Sequence, residues 1–162
     1  MKTLSIDGHD GFIDVDALWL ASETLPNIEC LKLSSIKASV PDVIGHFENL
    51  TFLSVTYCES IINDHIKTIS TGKLRKLKLD NCKNISQCFE SISNISQLEE
   101  LVFIDIKSET DDESQISTDY CKSTVVKLTH LVALDLLGII DMLDTWRAVS
   151  YTHLTLPTIC SV

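Results

Sequence analysis

Four segments of the chain follow one template, apolar-x-x-apolar-x-apolar. They are residues 28–33 (Ile28, Leu31, Leu33), 50–55 (Leu50, Leu53, Val55), 74–79 (Leu74, Leu77, Leu79) and 98–103 (Leu98, Leu101, Phe103), starting 22, 24 and 24 residues apart. A looser copy at 1–6 (Met1, Leu4, Ile6) precedes them, and another at 131–136 (Leu131, Leu134, Leu136) starts 33 residues after Leu98. Alternation over the second half of each phrase is the period of a strand with its apolar side chains on one face. A unit this short cannot bury that face alone, so it must stack on copies of itself.

The expected fold is α/β, a leucine-rich repeat solenoid, with parallel strands on the concave face and short helical turns on the convex face. Between phrases, apolar residues at three- and four-residue spacing read as helical turns: Val43, Ile44 and Phe47; Ile62, Ile66 and Ile69; Ile85, Cys88, Phe89, Ile92 and Ile95. The expected core is Leu31, Leu33, Leu53, Val55, Leu77, Leu79, Leu101, Phe103, Leu134 and Leu136, joined by Cys58 and Cys82. Those two cysteines stand three residues past the last apolar position of successive strands and read as small buried hydrophobes.

Composition narrows the function classes. At 162 residues with 44% hydrophobic and 22% charged residues, the chain has room for one domain with a continuous core. Its net charge of -10 leaves no basic stripe for a nucleic-acid backbone. No apolar run reaches the roughly 18 residues of a membrane span, and the N-terminus lacks a signal-peptide core, so a cytoplasmic site of action is expected. Three Asn-x-Ser/Thr sequons, at Asn49, Asn84 and Asn94, are the features that speak for a secreted protein.

Two stretches depart from the repeat. The gap before the last phrase holds the acidic run Glu109, Asp111, Asp112 and Glu113, read as part of a solvated loop over about 107–127 and not as a cation site. Residues 149–158, Val-Ser-Tyr-Thr-His-Leu-Thr-Leu-Pro-Thr, resemble the translation of a transposase-type sequencing-library adapter. On that reading 149–162 is a non-native tail, His153 and Cys160 leave every site hypothesis, and 1–148 is a repeat fragment of about six units without an evident cap.

Catalysis finds no constellation. There is no phosphate-cradling glycine loop, nucleophile elbow or His-Glu-x-x-His pair, and His9, His46, His65 and His130 fall in different repeats. No enzyme, cofactor, metal or small-molecule substrate is expected. The outward positions of the strands form columns instead. Arg75 falls beside Glu99 and Lys76 beside Glu100, so those charges neutralise one another. That leaves Lys32, Phe52, Ser54 and Lys78 as the candidate surface for a protein ligand, an aromatic anchor beside unpaired lysines.

Residues 25–36, 46–58 and 97–101, with Leu128 to Leu137 after an acidic interruption, resemble the irregular repeats of plant nucleotide-binding leucine-rich repeat immune receptors. That resemblance implies a region that senses pathogen effectors and restrains a nucleotide-binding module. The stretch from Leu77 through Cys82 to Ile85, echoed by Cys58 to Ile61, is similar to the cysteine-containing repeats of F-box proteins, which implies substrate recognition for a ubiquitin ligase. A receptor ectodomain is the third class, carried by the sequons.

Overall fold

In the computed structural model, residues 2–8, 15–36, 42–58, 63–70, 72–82, 85–104, 106, 123–125 and 127–137 are described. The runs 107–122 and 138–162, and with them the acidic residues and the adapter-like tail, lie outside the described residues, as do His9 and Asn84 and the side chains of Cys58, His65 and Leu136. Each phrase becomes a strand: β1 (Thr3–Asp7), β2 (Cys30–Ile36), β3 (Phe52–Cys58), β4 (Lys76–Asp80), β5 (Glu100–Ile104) and β6 (Ala133–Leu137). They form one six-stranded sheet in the order β1-β2-β3-β4-β5-β6, parallel throughout. The connections carry α1 (Val15–Thr24), a 3-10 helix at Asp42–His46, α2 (Asn63–Ser70), a second 3-10 helix at Ile85–Cys88 and α3 (Phe89–Ser93). This is the α/β leucine-rich repeat solenoid that the spacing dictates. No helix among the described residues is long and apolar enough to cross a membrane.

Register follows from the alternation. Leu4, Leu31, Leu53, Leu77, Leu101 and Leu134 stand opposite one another across the sheet, and Ile6, Leu33, Val55, Leu79, Phe103 and Leu136 form the next column. A slip by one residue would turn both columns to water, so burial holds the register. A backbone device repeats with it. The carbonyl of the residue before each strand accepts two N–H groups of the next unit: Lys2 from Glu29 and Cys30, Glu29 from Thr51 and Phe52, Thr51 from Arg75 and Lys76, Arg75 from Glu99 and Glu100, Glu99 from Val132 and Ala133. Polar side chains in the preceding turns add staples, with Asn49 Nδ2 donating to the Pro26 carbonyl at 2.9 Å and Gln97 Nε2 to that of Gly72. The Asn49 amide is therefore committed to the stack.

The core lies between the sheet and the helical layer. Val43, Ile44, Phe47, Ile66, Ile69, Ile85, Phe89 and Ile92 come down from that layer, all buried. Phe89 meets Phe103 edge-on at 5.7 Å, joining α3 to β5. Cys30, Cys82 and Cys88 are buried free thiols. The Cys82 Sγ lies 3.5 Å from the Val55 carbonyl of the preceding repeat, a filler with a weak hydrogen bond. Gly45 lets the first 3-10 helix approach α2, since a Cβ there would stand 2.9 Å from that of Thr68. Two expectations need adjustment. Leu134 is only partly buried, and among the described residues β6 has one neighbouring strand. The stretch read as a loop to residue 127 rejoins the core earlier: Val125 is buried and the Thr124 hydroxyl donates to the Phe89 carbonyl at 3.1 Å.

Left-handed backbone recurs at one repeat position. Ser35, Tyr57 and Asn81, each two residues past the last inward side chain of its strand, have φ of 58°, 53° and 49°. The turn there brings the next residue inward, as at Cys82. Asparagine tolerates this conformation, whereas a side chain like tyrosine pays roughly 1–2 kcal/mol for it. Tyr57→Asn is thus expected to raise stability by about 1 kcal/mol, read as a rise of about 2–4 °C in melting temperature; a fall would show that the ring contributes more than the strain costs.

Candidate functional site

Among the described residues, the helical layer covers one face of the sheet and no element covers the other. Parallel sheets are ordinarily covered on both faces, so an open face is the feature of this fold that calls for an explanation. Its columns are those of the strands' outward positions. One runs Thr3, Cys30, Phe52, Lys76, Glu100, Ala133; the central one runs Ser5, Lys32, Ser54, Lys78, Val102, Asp135; the third runs Asp7, Ser34, Thr56, Asp80, Ile104, Leu137.

The charges at β4 and β5 pair laterally. Arg75 bonds Glu99, and the Lys76 ammonium lies 2.6 Å from Glu100. The Glu100 carboxylate, by hydrogen bond and by charge, raises the pKa of Lys76 above its ordinary value. All four side chains remain more than a third exposed, and such pairs contribute at most about 1 kcal/mol. They neutralise this end of the face and do not form a basic patch.

The four candidate residues fare differently. Lys32 is exposed and has no ion-pair or hydrogen-bond partner among the described residues. Lys78 is a correction: it is not unpaired, because Asp80, two residues along the same strand and hence on the same face, sits 3.2 Å from its ammonium. Ser54 is a second correction, since it is only 9% exposed at an outward position. It is a short side chain at a register position between two lysines, Lys32 on β2 and Lys78 on β4. Phe52 is half-buried, and its neighbour Cys30, also outward by alternation, is fully buried. The four side chains nonetheless occupy contiguous positions on β2, β3 and β4.

Two exposed apolar residues at the margins of this face escaped the reading of the sequence. Tyr57 is 61% exposed at its left-handed position and Val132 is 59% exposed in front of β6. Nothing local marks Tyr57, which stands where other repeats have Ser35 and Asn81. On the helical side, the Trp19 ring of α1 meets His46 at a tilt of 59° with centroids 4.5 Å apart, which gives that histidine an aromatic packing contact. Among the described residues, no group of three or more His, Cys, Asp or Glu side chains is placed to hold a metal ion.

Residues 41–145 match the family model described as Zer-1-like leucine-rich repeats. No curated protein matches the chain. Among solved structures, an internalin (InlF) from Listeria monocytogenes aligns with a TM-score of 0.48 at 16% identity, over 78% of this chain and 38% of its own. The actin-binding site 2 of leiomodin-1 aligns with a TM-score of 0.44 at 13% identity, over 88% of this chain and 82% of that one. The chain thus spans well under half of the internalin.

Proposed function

Since the chain belongs to the Zer-1-like leucine-rich repeat family, we propose that it is a non-catalytic recognition module which holds a protein partner on the open face of its sheet, as the substrate-reading repeats of a ubiquitin-ligase adaptor. The observation that carries the recognition reading is the open face itself: six parallel strands with one side that no other described element covers. A solenoid presents such a face as an extended binding surface. The adaptor reading is supported by the match to Zer-1-like leucine-rich repeats and by the buried Cys82 after β4, where residues 77–85 resemble the cysteine-containing repeat of F-box proteins. The expectation of a plant immune receptor draws nothing from the family match. Three buried thiols serving as apolar filler suit a reducing compartment, and the proposed site of action is the cytoplasm.

The test places a photo-crosslinking residue at position 52 on the open face, or at position 90 on the helical side, of the full chain expressed in cells. Position 52 is expected to capture partners that position 90 does not, and excess chain is expected to lengthen their half-lives by shielding them from the ligase. Equal capture from both positions would overturn recognition by the open face. Half-lives unchanged by excess chain would overturn the adaptor reading.

A further inference from the structure

Ser54 sets the most specific constraint on what this face accepts. Five hydroxyl side chains are buried among the described residues: Ser22, Ser54, Ser91, Ser93 and Thr124. Ser22 donates to the Trp19 carbonyl, Ser93 to that of Glu90 and Thr124 to that of Phe89, and Ser91 is likewise engaged. Ser54 alone has no partner among the described residues. Buried polar groups are almost always satisfied, and one left over points to a partner that arrives from outside.

The surroundings state the chemistry of that partner. On either side of Ser54, at its register positions, stand Lys32 and Lys78, whose ammonium groups donate only. A group that satisfies all three must accept hydrogen bonds and carry negative charge. Lys78 is already half neutralised by Asp80 at 3.2 Å, while Lys32 has no partner among the described residues. Two lysines against Asp80, with Asp7 diagonal to Lys32 and held by the Ser34 hydroxyl at 2.6 Å, leave at most one positive charge, which suits a carboxylate better than a phosphate of about -1.5 to -2. Phosphate readers also rely on arginine clusters, and Arg75, the one arginine among the described residues, precedes β4 and is taken by Glu99. Phe52, two residues before Ser54 on the same face, offers an apolar contact to the residue beside the carboxylate. The chain's net charge of -10 is no bar, because acids beyond about 8 Å are screened at physiological salt.

We propose that Ser54, Lys32 and Lys78 form a subsite for an aspartate or glutamate carboxylate in an acidic segment of the protein partner. The inference rests on the recognition reading above and adds the chemical class of the segment read. It also carries a signature that a structural role for Ser54 lacks: Ser54→Ala removes an unsatisfied buried hydroxyl, so the variant melts at or above the wild-type temperature and yet binds more weakly.

The full chain, labelled with nitrogen-15, is titrated with a capped Gly-Ala-Glu-Ala-Gly peptide, its glutamine counterpart and its phosphoserine counterpart. The glutamate peptide is expected to shift the Ser54 and Lys32 amide resonances saturably, with millimolar affinity. Lys32→Gln is expected to weaken it about fivefold or more and Ser54→Ala about threefold. Equal binding of the glutamine peptide, or indifference to both substitutions, overturns the subsite. Binding of the phosphoserine peptide more than about tenfold tighter overturns the carboxylate in favour of phosphate. The two readings fail differently. Partners crosslinked from position 52 whose capture ignores Lys32→Gln overturn the subsite alone, whereas a saturable shift at Ser54 with no partner captured from position 52 overturns the recognition reading alone.

Discussion

Phe103→Ala is expected to cost about 3–5 kcal/mol of unfolding free energy, the range for a fully buried phenylalanine truncated in a core. Phe103 is 1% exposed on β5, and its ring meets Phe89 of α3 edge-on at 5.7 Å with planes 88° apart. The edge-to-face geometry sets the positive rim of one ring against the negative face of the other, which adds about 0.5–1.5 kcal/mol beyond area burial. A double-mutant cycle with Phe89→Ala should recover that coupling, read from urea midpoints at constant m-value. Phe52→Ala supplies the internal control, because Phe52 is half-buried on the opposite face of the sheet and should cost about 1 kcal/mol or less. Equal losses at 52 and 103 would mean that the face called open is packed as well.

The asymmetry between these phenylalanines was legible in the sequence, and the reason is geometric. A period of two inside repeats of 22 to 24 residues assigns Leu31, Leu53, Leu77 and Leu101 to one column before any coordinate exists. The lateral pairs Arg75–Glu99 and Lys76–Glu100 follow from the same register. Alternation says which face a side chain takes, but not how deep it sits there. Ser54 and Cys30 take outward positions and are nevertheless buried, a depth that a period of two does not encode. The Lys78–Asp80 contact was overlooked because columns compare strands, and a pair two residues apart on one strand shares a face just as surely. Tyr57 had no local signal at all. Its left-handed φ is imposed by the turn that its repeat shares with Ser35 and Asn81, a tertiary demand overriding side-chain preference.

The candidate site is weaker in charge and sharper in chemistry than the sequence suggested. Of the lysines expected to stand unpaired, Lys32 alone does so among the described residues. The loss of Lys78 as a free cation reduces the long-range attraction of the face for acidic partners. The orphaned hydroxyl between the two lysines compensates in specificity, since a group that must accept from Ser54 while facing Lys32 is narrowly defined. Lysines alone would have accepted any anion.

Leu77→Ala is expected to cost about 2–5 kcal/mol, and Leu4→Ala, in the same column, less than about 1 kcal/mol. The two leucines are chemically identical and occupy equivalent repeat positions. They differ in neighbours: Leu77 is 1% exposed between Leu53 and Leu101, while Leu4, on a strand that among the described residues pairs only with β2, stands opposite Leu31 and is only partly buried. Half the burial removes less transfer free energy, and a side chain at the margin leaves no closed cavity. In a stack whose units touch only their neighbours, the position of the loss also decides what else loosens. Leu77→Ala weakens both the β3–β4 and β4–β5 junctions, so amide exchange should quicken on β3, β4 and β5 together. Leu4→Ala weakens one junction, and faster exchange should stay within β1 and β2. Uniform acceleration across all six strands in both variants would show that the sheet unfolds as a single cooperative block, and nearest-neighbour stacking would then be the wrong account of its stability.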